Sequence, residues 1–258
     1  ELKNDNPIAH INLGGIYKDL GNLDKALVST LKSLELEPNN FDALMRLSVI
    51  HNHLGNLDQA VASALKSLEL KPNNPAVHTN LGVLHKELGN LDQALTFTLK
   101  SLELKPDNPD AHLNLGIIYK EFGNTIEAIH HLQEAKKCEA VRTKASLILA
   151  NIYYYSGQYH EGIAALHNVE GVEARNHLLS FYLCQNEKNK FNQCANYLIE
   201  TRQLNQQGIA AIDHANVLFD QSLDNTLDES TLNSIFLQAI DEKEFPDALM
   251  KEAIIHIL

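Results

Sequence analysis

GNLDKAL at residues 21–27 returns as GNLDQAV at 55–61 and GNLDQAL at 89–95, and the copies are followed by LKSLELEP (31–38), LKSLELKP (65–72) and LKSLELKP (99–106). The glycines that open these copies, Gly21, Gly55 and Gly89, are 34 residues apart, and Gly123 and Gly157 continue the series. A fixed period of this length marks one supersecondary unit used repeatedly, each unit burying its apolar side on the next. Working outward from the glycine, Asn6-Pro7, Asn74-Pro75 and Asn108-Pro109 place a capping side chain and a first-turn proline where a helix should begin. The glycine should end that helix in a left-handed conformation, and the asparagine after it is placed to cap a second one. Each unit is therefore expected to be two helices joined by a tight turn.

The spacing and its landmarks resemble the tetratricopeptide repeat. Leu13-Gly14, Leu81-Gly82 and Leu115-Gly116 match the Leu-Gly pair, and Tyr17, Tyr119 and Tyr153 match the tyrosine after it. Ala26, Ala60, Ala94 and Ala128 match the small residue of the second helix, and Pro38, Pro72 and Pro106 the closing proline. The chain departs from the family by having no tryptophan: the fourth place carries His10, Leu44, His78 and His112. The usual later aromatic is replaced by Thr30, Ala64, Thr98 and Leu132. The resemblance implies an all-α fold, a right-handed α-solenoid of helix-turn-helix units with an irregular helical C-terminal region.

Five units are expected over 7–174, at 7–40, 41–74, 75–108, 109–142 and 143–174, the last with Gly162 in the alanine place. A degenerate sixth hairpin is expected at 175–204. Acidic helices are expected over 205–258, at Gly208–Leu223, Glu229–Ile240 and Pro246–Leu258, from the helical spacing of residues such as Ile209, Ile212, Leu218 and Phe219. That last region reads either as a cap or as a connector to a further domain.

Charge separates the same region: the chain carries 21 Lys and Arg against 33 Asp and Glu, a net of -12, and residues 203–258 contribute ten carboxylates and two lysines. No cationic cluster suited to phosphates is present, so nucleic acid and anionic membrane are not expected partners. The longest apolar runs fall short of a membrane span. Cys138, Cys184 and Cys194 are odd in number and lack a CxxC pair, which suits a reducing, cytoplasmic setting with the three as small core residues. The start at Glu1 and the apolar finish Ala253-Ile254-Ile255-His256-Ile257-Leu258 suggest a piece of a longer protein.

Among 13 histidines, His10, His78 and His112 share one place of the repeat and His51 and His85 another, as recurring packing residues do. His51-Asn52-His53 and His130-His131 are neighbours on helices and do not share a face. GxGxxG, phosphate-loop, HExxH and GxSxG signatures are absent, so no catalytic residue, cofactor or metal is assigned.

The resemblance implies instead a concave groove lined by first helices. Its sixth places are Asn12, Arg46, Asn80 and Asn114, its ninth Gly15, Val49, Val83 and Ile117, and its twelfth Lys18, Asn52, Lys86 and Lys120. The asparagines resemble the ladder of O-linked N-acetylglucosamine transferase, whose amides grip an extended peptide backbone. An amide suits that task because it both donates and accepts. The carboxylate clamp of co-chaperone domains is not encoded, since the fifth places are Ile11, Met45, Thr79 and Leu113. The expected function is a protein-interaction scaffold that binds a peptide or helix in the groove. Two alternatives are the non-catalytic front of a larger enzyme, similar to bacterial 2-oxoglutarate and iron oxygenases or to a transferase, and a structural array that self-associates through its apolar end.

Overall fold

The computed structural model describes residues 6–201 and residue 203, and all regular elements among them are α-helices. The helices expected over 205–258 lie outside the described residues. The chain forms two compact units that divide between Ile152 and Tyr153.

Unit 1 holds four hairpins: α1 (Pro7–Asp19) with α2 (Leu23–Leu36), α3 (Phe41–His53) with α4 (Leu57–Leu70), α5 (Pro75–Glu87) with α6 (Leu91–Leu104), and α7 (Pro109–Glu121) with α8 (Thr125–Lys136). A longer helix, α9 (Glu139–Tyr155), follows. Unit 2 contains α10 (Tyr159–Ala165), α11 (Val172–Cys184) and α12 (Lys188–Glu200).

One turn joins the two helices of every hairpin in unit 1. In the first, the Gly21 N–H donates to the Lys18 carbonyl at 2.9 Å and the Asn22 N–H to that of Tyr17 at 2.8 Å. This double bond pattern needs a left-handed residue, and Gly21, Gly55, Gly89 and Gly123 have φ between 74° and 78°. Between α11 and α12 the same turn is built on Asn186, φ 56°, with the Glu187 N–H donating to Tyr182 O at 2.9 Å. Asparagine tolerates this conformation better than other side chains do.

Capping follows the expectation only in part. Asn6, Asn22 and Asn74 accept hydrogen bonds from the first turns of α1, α2 and α5, and Asn40 does so for α3. Asn56, Asn90 and Asn124 make no side-chain cap bond. Asn108 precedes α7 but turns inward: buried, it donates to Thr79 Oγ1 at 3.0 Å and Ser101 Oγ at 2.9 Å. Those two hydroxyls contact each other at 2.7 Å, and a buried polar pair recruits the amide more strongly than an end N–H that water can satisfy.

Close approach of paired helices sets the small residues. A methyl group on Gly14 would lie 2.5 Å from Thr30 Oγ1, one on Gly116 2.5 Å from Leu132 Cγ, and one on Gly82 would collide with Thr98 Oγ1. The three side chains standing where the family has an aromatic are thus the partners of the Leu-Gly glycines. At the same places of the second hairpin stand Ser48 and Ala64, so the larger side chain has moved to the first helix. Thr30 and Thr98 bury their hydroxyls on the carbonyls of Ala26 and Ala94, at 2.8 and 2.7 Å. In unit 2, Gly162 takes the alanine place because the Phe181 ring occupies the space of a Cβ.

Within unit 1, each second helix packs on the first helix of the next hairpin, and α1, α3, α5 and α7 also touch in succession. No contact of similar extent joins α2 to α4 or α4 to α6. First helices therefore converge on the inner side of this unit and second helices diverge on the outer side. Ala43, Leu47 and Ile50 of α3, like Val77, Leu81 and Leu84 of α5, are buried at these junctions.

Candidate interaction face

The inner face carries the side chains that alternate around the buried positions of the first helices. Asn12, Arg46, Asn80 and Asn114 occupy one place on α1, α3, α5 and α7, but they do not form a uniform ladder. Asn12 is exposed and Asn114 is buried. Asn80 donates through Nδ2 to Ser48 Oγ at 2.7 Å, so its amide spans two hairpins. The Arg46 side chain lies across Gly14 and Gly15 of α1. Arg46 and Asn80 thus both reach back over the eighth or ninth place of the previous hairpin, and what each does depends on what it finds there.

Beside this row, Val49, Val83 and Ile117 are half-buried, as are Lys18, Asn52 and Lys86, whereas Lys120 is exposed. Lys18 pairs with Asp19 at 3.1 Å. Among the described residues, Arg46, Lys86 and Lys120 form no ion pair. By period, the predicted site residues recur at three places of α1, α3, α5 and α7, an apolar strip edged with amides and cations.

The strip deepens into a cleft at the first two hairpins. Ile8, Ile11, Asn12 and Lys18 of α1 and Asp42, Met45, Arg46 and Val49 of α3 line it, with Glu37 and Asn40 from the intervening turn, enclosing about 600 Å³. Four of the residues expected on the groove thus line one cleft. Sequence reading missed Glu37, Asn40 and Asp42, which belong to the turn and to the first turn of α3 rather than to the repeated face.

The histidines are mostly structural. His78 Nε2 lies 2.8 Å from the Pro72 carbonyl and His112 Nε2 3.0 Å from that of Pro106, so the fourth place ties a first helix to the preceding closing proline. His85 stacks on Phe97 with ring centroids 5.3 Å apart, and His131 stacks on Tyr119 at 5.5 Å. Burial holds His51 and His85 below the usual histidine range. His131 is pushed down to about 4, first by burial and then by repulsion from His112, whose Nδ1 is 3.0 Å from its own, and from His130. Among the described residues no three His, Cys, Asp or Glu side chains converge as metal ligands would.

The cysteines divide, against the expectation that all three are core residues. Cys194 is buried, its thiol donates to the Arg175 carbonyl at 3.3 Å, and burial raises it to about 11. Cys138 is half-buried and Cys184 is exposed at the end of α11, because the helix turns that position outward. No helix among the described residues is long and apolar enough to cross a membrane.

Comparison with known proteins bears on the repeat and the fold. Family models described as tetratricopeptide or TPR repeats match residues 8–40, 30–62, 50–89 and 84–123. No protein of curated function matches the chain by sequence. Among solved structures, that of Pseudomonas aeruginosa PilF is 18% identical, with a TM-score of 0.69 over 80% of this chain and 96% of its own. PilW, a type IV pilus biogenesis factor, is 18% identical with a TM-score of 0.70, covering 80% of this chain and 98% of its own. A tetratricopeptide repeat protein from Parabacteroides merdae is 20% identical, with a TM-score of 0.60 over 84% and 85% of the two chains. At these identities the likeness shows the fold.

Proposed function

Because residues 8–123 match tetratricopeptide-repeat models, we propose that this chain is a protein-interaction module that holds an extended or helical segment of another protein along the inner face of α1, α3, α5 and α7. Such arrays present extended concave surfaces and generally bind other proteins through them. The observation that carries the reading is the cleft between α1 and α3, where Asn12, Lys18, Arg46 and Val49 meet.

Energetics assign the work. A hydrogen bond contributes only about 0.5–1.5 kcal/mol net, and Asn80 already spends its amide on Ser48, so the asparagines set register rather than affinity. Apolar contact with Ile11, Met45, Val49, Val83 and Ile117 supplies most of the attraction, at about 25 cal/mol per Å² buried. The module itself performs no chemistry in this reading.

The test places a photo-crosslinking amino acid at Val49, at Val83 and, on the outer helix α4, at Lys66. The groove reading expects Val49 and Val83 to capture the same segment of one partner and Lys66 to capture none of it. Equal capture from all three positions sinks it.

A further inference from the structure

In an array this regular, a departure from the repeat carries information. Two departures stand on the inner face: the sixth place is Arg46 where the other hairpins have Asn12, Asn80 and Asn114, and the ninth is Gly15 where they have Val49, Val83 and Ile117. They lie on different helices and they touch. A Cβ on Gly15 would fall on the Arg46 guanidinium, 2.9 Å from Cζ and nearer still to a terminal nitrogen. A valine at the ninth place of α1 would fill that volume, so Gly15 is the seat of Arg46.

The seat holds the cation without neutralising it. Arg46 has no ion pair among the described residues, and its Nε is buried with no hydrogen-bond partner. Both acids of the cleft stand outside ion-pairing distance; Glu37 accepts instead from Asn40 Nδ2 at 2.8 Å. An unpaired, partly desolvated guanidinium gains more from an anion than a solvated one, and its planar fork matches a carboxylate. Lys18 lines the same cleft but is already paired with Asp19, so Arg46 is the cleft's unpaired cation, and Ile11, Met45 and Val49 give the cleft apolar walls.

We infer that the α1–α3 cleft receives a carboxylate of the bound peptide, an aspartate or glutamate side chain with an apolar neighbour, and that Arg46 anchors it. The inference rests on the groove reading and narrows it to a ligand class. Glu37 and Asp42 also line the cleft, so a run of acids on the peptide would meet like charge there and a single carboxylate is favoured.

The probes are pools of short capped peptides with randomised flanks, presented to the full chain on an array. One pool has glutamate fixed at its centre, one has glutamine, and one has central glutamine with a free C-terminal carboxylate. The chain is expected to favour the glutamate pool over the glutamine pool by about fivefold to tenfold at low salt, less at high salt. Arg46→Gln should abolish that preference and retain glutamine-pool binding, with folding checked by circular dichroism. Gly15→Val displaces the guanidinium without changing its charge, and should reduce the preference as well.

A glutamate preference that persists in Arg46→Gln overturns the inference, as does preference for the free terminal carboxylate alone. If the glutamine pool binds and a Val49→Asp, Val83→Asp variant loses it, but glutamate is not favoured, the groove reading stands and only the carboxylate anchor falls. If no pool distinguishes the chain from that variant, both fall.

Discussion

Gly82 and Gly55 are both glycines for reasons that a single methyl group separates. At Gly82 the methyl would meet Thr98 Oγ1, which is locked by its bond to Ala94, so Gly82→Ala should cost about 1–3 kcal/mol. At Gly55 nothing lies within 4 Å, and the cost of alanine, about 1 kcal/mol, comes only from φ 75°. Urea unfolding with Thr98→Ala as a second substitution tells them apart: it should rescue Gly82→Ala and leave Gly55→Ala unchanged. His131 gives a third residue-scale expectation. It titrates near 6.5 in the unfolded chain and about 4 when folded, so between those values the unfolded chain binds more protons. Its contribution is complete above about pH 7 and lost as pH falls toward 4. Discounted for its partial exposure, the loss is about 1–2 kcal/mol. His131→Gln should flatten the slope of unfolding free energy against pH across that window; an unchanged slope refutes the assignment.

The hairpin is the element at which sequence reading succeeded best, because each of its signals is local. A glycine with positive φ, a proline in the first turn and alanines at 34-residue spacing depend on neighbours within a few residues, and α1 to α8 follow them. Reading failed where a side chain chose between a local and a distant partner. Asn22 and Asn56 occupy the same place and look alike in sequence, yet only Asn22 makes the cap bond, to Lys25 N at 3.2 Å. Asn22→Ala should therefore cost about 1 kcal/mol and Asn56→Ala less than about half of that, as thermal unfolding would measure. Asn108 went the other way, into the Thr79 and Ser101 pair 29 and 7 residues back. The candidate face was legible as a set of places, since period alone puts Asn12, Arg46, Asn80 and Asn114 on one side. What Arg46 and Asn80 do there was not, because it depends on the eighth and ninth places of the preceding hairpin.

At the scale of the whole molecule, contacts in unit 1 reach no farther than the next hairpin. Stability is then a sum of hairpins and junctions, and in unit 1 the first hairpin, whose described contacts form one junction, is held least. Leu13 and Ile16 show it: they are 39% and 55% exposed, while Leu81 and Leu84 at the same places of α5 are fully buried. Hydrogen exchange read by mass spectrometry should find amides of α3 to α6 protected longest and those of α1 and α2 shortest; uniform protection would refute additivity. Near-copied hairpins raise a separate hazard, since the outer helices α2, α4 and α6 offer almost the same surface to whichever first helix arrives. A chain emerging from the ribosome could dock α5 one hairpin out of place, or onto another nascent copy. The polar contacts that break the repeat guard against this. Arg46 over Gly15, Asn80 on Ser48, and Asn108 between Thr79 and Ser101 each mark one junction with a pairing the others cannot supply. A mismatched junction would bury an amide or a guanidinium against the wrong surface, so the irregularities act as addresses that assemble the hairpins in order.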